Sequence, residues 1–304
     1  MEQRYSNIPN FATMEILWPD WKEPGMDFFE WKSDSHVYPF SVQRDDRIHP
    51  IVSGNKSRKL RGWLQAYFQE SYQGIITFGG AFSNHLIATA SVCYDMKIPC
   101  LGLVRGDEGI RNHYLDFCVD KGMELIYISR SAYRDKAVLS EEFLGYNGRR
   151  NLLIPEGGRG ELGLTGFEEL VRSWKGNFPD VVVHASATGT TAAGLARALR
   201  KAGAKTRVLA VLVLRNEAEQ MASLREWGIS DEVELISDYH FGGYAKMPLV
   251  LLDFLGEARA QLDLPLEPVY TGKAFYALVH RILPEYVGKR VCFLHTGGIM
   301  NYEI

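Results

Sequence analysis

From about residue 74 the chain alternates short apolar runs with longer stretches whose apolar residues recur every three or four positions. GIITFGG precedes SNHLIATASVCYDM, PCLGLVRG precedes NHYLDFCVDKG, and ELIYISR precedes a polar helical segment and then NLLIPEGG. A second series runs DVVVHASATG, TTAAGLARALRKAG, RVLAVLVLR and EAEQMASLREWG. Short continuous apolar runs mark strands buried on both faces, and a period near 3.6 marks amphipathic helices. Strand then helix, repeated, predicts an α/β protein whose parallel, twisted sheets are covered by helices on both sides, three layers deep. The glycine-rich PEGGRGELGLTGF, residues 155–167, reads as the connection between two such sheets. Upstream, Leu60, Trp63, Leu64, Tyr67 and Phe68 fall on one helical face, whereas the first 35 residues show no clear period.

In open α/β sheets, ligands gather beyond the C-terminal ends of the strands. Glycines and polar residues collect at such ends or loops here: TFGGAFSNH, HASATGTT, DYHFGGYAK, EPVYTGK and FLHTGG.

Composition narrows the partners more than the fold. The 304 residues are 46% hydrophobic and 23% charged, enough for a large core and two domains. A net charge of −3 gives no global reason to bind nucleic acid or an anionic membrane, so a small molecule is the expected partner. The start, MEQRYSNIPNF, lacks a signal-peptide pattern, and no apolar stretch is long enough to span a bilayer, so a cytoplasmic location is expected. Cys93, Cys100, Cys118 and Cys292 lie in apolar runs without metal-like spacing and read as reduced core residues; no metal site is expected.

Three stretches carry chemistry. In ASATGTTAAG (185–194) a strand ends and a small-residue helix opens. Gly189 permits the tight turn, the hydroxyls of Thr188, Thr190 and Thr191 can donate, and the free N–H groups favour a phosphate. It matches neither a Walker loop nor a GxGxxG fingerprint, and a plain strand-to-helix turn would explain it equally well. Ser83, Asn84 and His85 open another helix after Gly79 and Gly80, a second anion site or simply a cap. A serine-hydrolase elbow is excluded, because GxSxG needs glycine where His85 stands. SGNKSRKL (53–60) sets Lys56, Arg58 and Lys59 where a helix begins, capped by Ser53 or Asn55. Cations in a first turn oppose the helix dipole by about 0.3–1 kcal/mol each. They either extend into water or serve a function.

GNKSRKL, TFGGAFSNH, ATGTTAAG, PVYTGK and HTGG, in this order, resemble the motifs of pyridoxal-phosphate enzymes of the tryptophan-synthase-β type. Within these the chain is most similar to the branch of 1-aminocyclopropane-1-carboxylate deaminase and D-cysteine desulfhydrase, from about residue 37 to 298. The resemblance implies a cofactor-binding domain of residues 1–58 plus 166–304, a smaller domain of residues 59–165, the active site between them, and a homodimer. It implies that Lys56 forms the Schiff base with pyridoxal 5'-phosphate, that the threonine-rich loop holds the phosphate, and that Asn84 contacts the phenolic oxygen. Ser83 would bind the substrate carboxylate, together with Asn84 and His85, or relay a proton. Tyr244 and Tyr270 would lie near the substrate, in loops, and Thr296 would face the pyridine nitrogen. Arg58 and Lys59 would depress the Lys56 pKa, leaving more free amine.

Departures from the family pattern are SGNK for GGNK, Phe82 where glutamine is common, and the short NYEI ending. Ring-opening deaminases of the family carry glutamate after the tyrosine of PVY, where this chain has Thr271. The expected activity is therefore β-elimination of D-cysteine to pyruvate, ammonia and sulfide. The alternatives are ring opening of 1-aminocyclopropane-1-carboxylate to 2-oxobutyrate and ammonia, and a non-catalytic relative.

Overall fold

The apolar runs named for 74–154 and 181–212 all form strands. The computed structural model describes residues 21–107 and 109–298; residues 1–20 and the NYEI ending, assigned above to the cofactor-binding domain, lie outside the described residues. The described chain begins with β1 (Met26–Lys32), β2 (Val37–Gln43) and α1 (Asn55–Gln69). Then come β3 (Gly74–Gly80), α2 (Asn84–Asp95), β4 (Cys100–Arg105), α3 (His113–Asp120), β5 (Glu124–Ile128), α4 (Lys136–Phe143) and β6 (Asn151–Ile154). Two short helices, α5 (Glu161–Thr165) and α6 (Phe167–Ser173), lie in and just beyond the glycine-rich stretch and lead to β7 (Val181–Ser186). α7 (Thr190–Lys201), β8 (Arg207–Leu212), α8 (Glu217–Glu226), β9 (Val233–Ile236), α9 (Leu249–Leu262), α10 (Thr271–Ala277) and β10 (Val291–Leu294) follow.

The strands form two sheets, ordered β5-β4-β3-β6 and β1-β2-β10-β7-β8-β9. Every pairing is parallel except β1 with β2, which is antiparallel. Strand periodicity makes the three layers of the larger sheet: Val181, Val183 and Ala185 face Phe254, Phe275 and Leu278 on one side. Val182 and Cys292 face Phe167, Leu170, Leu195 and Leu199 on the other. Fully burying each valine, leucine or phenylalanine among them stabilises by about 1.5–3 kcal/mol. β1 is the element that its sequence hides: Asp27, Glu30 and Lys32 interrupt the pattern and Phe28 is exposed. Trp31 nonetheless enters the core, 5.5 Å from the Phe254 ring and 6.2 Å from Phe275.

Helix α1 links the sheets. Leu60, Trp63, Leu64 and Tyr67 are buried as their spacing predicts, packing with Ile75, Val92 and Leu152 of the smaller sheet's layers, while Phe68 sits at the rim. Neither Ser53 nor Asn55 caps the helix. Gly54 holds that position at φ 63°, and a Cβ there would stand 1.9 Å from the Thr296 carbonyl oxygen. The close approach requires glycine.

Arg58 corrects a second expectation. Its guanidinium points away from Lys56 into a buried cluster, with Nη2 3.0 Å from Asp45 Oδ1 and Nη1 3.0 Å from Glu23 Oε2. Its cation therefore compensates carboxylates and does not depress the Lys56 pKa. All four cysteines are free; Cys93, Cys118 and Cys292 are buried and Cys100 partly so. Among the described residues no helix is long and apolar enough to cross a membrane.

Candidate active site

At the C-terminal ends of both sheets lies a cavity of about 1060 Å³. Lys56, Ser83, Asn84, His85, Thr188, Gly189, Thr191, Tyr244, Tyr270 and Thr296 all line it, so residues scattered along the sequence converge on one space. Thr190 is the exception. It is fully buried beneath the loop, its Oγ1 3.2 Å from Thr188 Oγ1.

Lys56 is the second residue of α1 and is partly buried. Its Nζ donates to Asn55 Oδ1 at 2.7 Å, and Asn55 Nδ2 donates to Thr191 Oγ1 at 3.0 Å. Asn55 therefore ties the lysine to the threonine-rich loop. Burial pushes the Lys56 pKa down to about 8, against an opposing pull from the Glu267 carboxylate. Lys59 is more buried and lies well below its ordinary value, through burial and then the Lys56 charge. Its Nζ donates to the Gly157 carbonyl at 3.2 Å.

The β7–α7 turn is built as an anion cradle. Gly189 takes the left-handed conformation at φ 75° and no side chain caps α7, so its first N–H groups remain open to a ligand. Behind the turn, Ser186 Oγ donates to Gln220 Oε1 at 2.6 Å, Gln220 Nε2 to Asn216 Oδ1 at 3.0 Å, and Asn216 Nδ2 to the Ala187 carbonyl at 2.8 Å. Sequence reasoning missed this buttress, since a polar residue one helix later carries no local mark.

Ser83 caps α2, its Oγ accepting from Leu86 N–H at 3.3 Å, and leaves the first N–H groups of the helix facing the cavity. The His85 ring is buried, Nε2 lying 2.9 Å from Thr77 Oγ1. Thr77 spends its proton on the Ile154 carbonyl, so Nε2 is the protonated nitrogen and Nδ1 presents a lone pair. Burial, and then Lys56 and Lys59, push the His85 pKa down to about 3, so the ring is neutral. What His85 offers a carboxylate is its backbone N–H.

Tyr244 lies in a loop and is half-exposed, but Tyr270 stands at the start of α10, its ring 6.2 Å from Tyr244 and edge-on. Burial, then Tyr244 and Glu267, hold the Tyr270 phenol well above its usual range, so it is a proton donor. Glu267 escaped notice in the sequence. It is buried and accepts backbone N–H bonds from Val269 (2.7 Å), Tyr270 (2.8 Å) and Thr271 (2.6 Å). Burial raises its pKa and these donors lower it. An acidic residue three or four positions before a helix is a capping signal, and EPVYTGK contains it. Thr296 lines the cavity without a hydrogen bond from its hydroxyl to any described residue, while its carbonyl accepts from Asn55 N–H at 3.2 Å.

No family model matches the chain. A Pyrococcus abyssi protein provisionally named 1-aminocyclopropane-1-carboxylate deaminase is 30% identical over 279 residues, covering 85% of this chain and 84% of that protein. A Klebsiella pneumoniae D-cysteine desulfhydrase is 29% identical over 322 residues, covering 96% and 95%. Among solved structures, an "ACC deaminase homologue" superposes with a TM-score of 0.79 at 26% identity, covering 93% of this chain and 91% of the other.

Proposed function

The chain belongs to the family of pyridoxal-phosphate-dependent 1-aminocyclopropane-1-carboxylate deaminases and D-cysteine desulfhydrases, and we propose that it is a lyase that eliminates the Cβ substituent of a small amino acid. D-cysteine, giving sulfide, pyruvate and ammonia, is the substrate we assign first. Residues 1–58 with 166–304 would hold the cofactor and 59–165 would close over the substrate, in a homodimer.

The carrying observation is the Lys56 amine, whose pKa of about 8 sits beside the Asn55 to Thr191 link to an anion cradle. The residues present fit pyridoxal phosphate. The open N–H groups behind Gly189, with Thr188 and Thr191, suit its phosphate, the unbonded Thr296 hydroxyl suits the pyridine nitrogen, and Asn84 suits the phenolic oxygen. When bound, the group withdraws electrons from the substrate Cα and acidifies its proton.

The chain's own residues do the rest. The α2 N-terminus, with Ser83, binds the substrate carboxylate through backbone N–H groups. Lys56 Nζ, oriented by Asn55, takes the Cα proton, since near neutral pH part of it is free amine. Tyr270, kept protonated, and Tyr244 line the same cavity and would serve as donors to a departing thiolate. A hydroxyl at Thr296 would leave the pyridine nitrogen of a bound cofactor unprotonated, which suits prompt loss of a good leaving group. Thr271 is fully buried and bonded to Glu267, and the Glu267 oxygens accept from the backbone of residues 269–271, so neither is placed to serve ring opening.

Two assays on the purified protein test this: sulfide from D-cysteine and 2-oxobutyrate from the cyclopropane acid. Sulfide release is expected, and activity on the cyclopropane acid alone would reverse the ranking. Scattering should give twice the chain mass, and a monomer would remove the dimer. Glu267 supplies a further test, because its charge raises the Lys56 pKa. Uptake of pyridoxal phosphate by the cofactor-free protein follows free amine, so its rate should rise with pH through about 8. In Glu267→Gln the midpoint should move to lower pH; an unchanged or higher midpoint contradicts the coupling.

A further inference from the structure

The wall that the smaller sheet gives to the cavity is basic. Arg105 ends β4, Arg130 follows β5, and Arg134 and Lys136 lie at the entry to α4, so adjacent strand ends bring four cations to one side. One carboxylate in that wall answers them, Glu156, paired with Lys136 at 2.5 Å. Arg105, Arg130 and Arg134 are exposed, and none is ion-paired with a described residue. Arg105 Nη2 lies 3.7 Å from where a Cβ on Gly80 would stand, so this guanidinium overhangs the turn that leads to Ser83.

A second observation sits beneath them. Tyr133 lines the cavity and is 3% exposed, with Arg105 and Lys136 at 5.8 and 5.0 Å from its ring centre, yet its hydroxyl has no hydrogen-bond partner. Buried hydroxyls are rarely left unbonded. The acceptor near this one is the Glu156 carboxylate, which is already held by Lys136, so a second anion beside Arg105 competes for the hydroxyl proton. The phosphate cradle is on the other sheet, and the α-carboxylate has the α2 N-terminus.

We propose that Arg105, Arg130, Arg134 and the Tyr133 hydroxyl form a subsite for a second anion, carried on the side chain of the amino acid as a carboxylate, sulfonate or phosphate. The assignment rests on the amino-acid lyase reading above and names its substrate class. D-cysteine is then a minimal substrate, processed without this contact. A chain of net charge −3 has no excess of cations to place at random. The fork of an arginine also matches a planar or tetrahedral oxyanion.

The test compares aspartate with asparagine, which match in shape and differ in distal charge. Both enantiomers are titrated calorimetrically into the purified protein supplied with pyridoxal phosphate. Aspartate of one enantiomer is expected to bind about tenfold more tightly or better, the value of one charge-assisted contact. The preference should shrink as salt is raised. It should vanish in the double variant R105Q/R130Q, whose exposed side chains leave the fold intact, as circular dichroism checks. Equal binding of the pair, no binding of either, or a preference that persists in the double variant each overturns the subsite. The ratio is read whether or not the preparation is coloured, so a colourless protein counts against the cofactor reading, and the ratio alone decides this one.

Discussion

The Lys56→Ala protein is expected to lose the visible band of a lysine-bound pyridoxal phosphate and at least about 10³-fold in turnover, the scale of a lost acid–base group that is also the covalent anchor. Besides Lys136, held by Glu156 in the smaller sheet's wall, the cavity is lined by the Lys59 amine one turn along α1, and its placement explains why it does not substitute. Lys59 Nζ is committed to the Gly157 carbonyl, and since burial and the Lys56 charge leave it a free amine, its position and not its protonation sets it aside. Asn55 holds Lys56 alone against the threonine loop. Lys59→Ala should therefore stay coloured and keep most of its turnover. Borohydride reduction followed by peptide mapping reads the result directly. Label on residue 59, or an unbleached band in Lys56→Ala, would falsify the assignment.

A second large effect is expected at a residue that does not line the cavity. Arg58→Ala leaves Asp45, itself fully buried, without its guanidinium, and leaves Glu23 with one arginine instead of two. Breaking a buried pair from one side costs about 3–5 kcal/mol, because the remaining charge stays desolvated. That is a large share of the stability of an ordinary domain. Denaturant unfolding of wild type, Arg58→Ala and the double variant Arg58→Met/Asp45→Asn should give a deep loss in the single variant and partial recovery in the double. A loss below about 1 kcal/mol would make the pair no more than a surface contact.

What the sequence made legible were the features written in local pattern. Uniform valine and isoleucine runs made the parallel strands readable, and the glycines and hydroxyl residues after them made the cavity wall readable, from Ser83 to Thr296. Where partners lie far apart in the chain the reading failed. Arg58 looked like one more cation beside Lys56, because nothing near it announces that Asp45 and Glu23 fold back onto it. Asn55 looked like a cap, yet Gly54 takes that place because the Thr296 carbonyl leaves no room for a side chain. β1 was hidden because Phe28 sits exposed among charges on the edge strand's open side, and Asp27 shares the inner face with Phe29 and Trp31. Glu267 went unread although EPVYTGK sets a carboxylate ahead of a helix, and its influence on Lys56 exists only once α10 and α1 are neighbours.

Helix α1 has a mechanical side. Its first turn is fastened to the larger sheet through Asn55 to Thr191, Gly54 against Thr296, and Arg58 to Asp45. The turns that follow are packed into the smaller sheet through Leu60, Leu64 and Tyr67. Any rocking of one sheet against the other has to flex the chain where it crosses between them, at residues 54–59 and again after β6. The amine at position 56 then sits at the fulcrum, where displacement is least, while Ser83 and Arg105 ride on the longer arm. A jaw of this geometry can open for a substrate and shut behind it without moving its one fixed tooth.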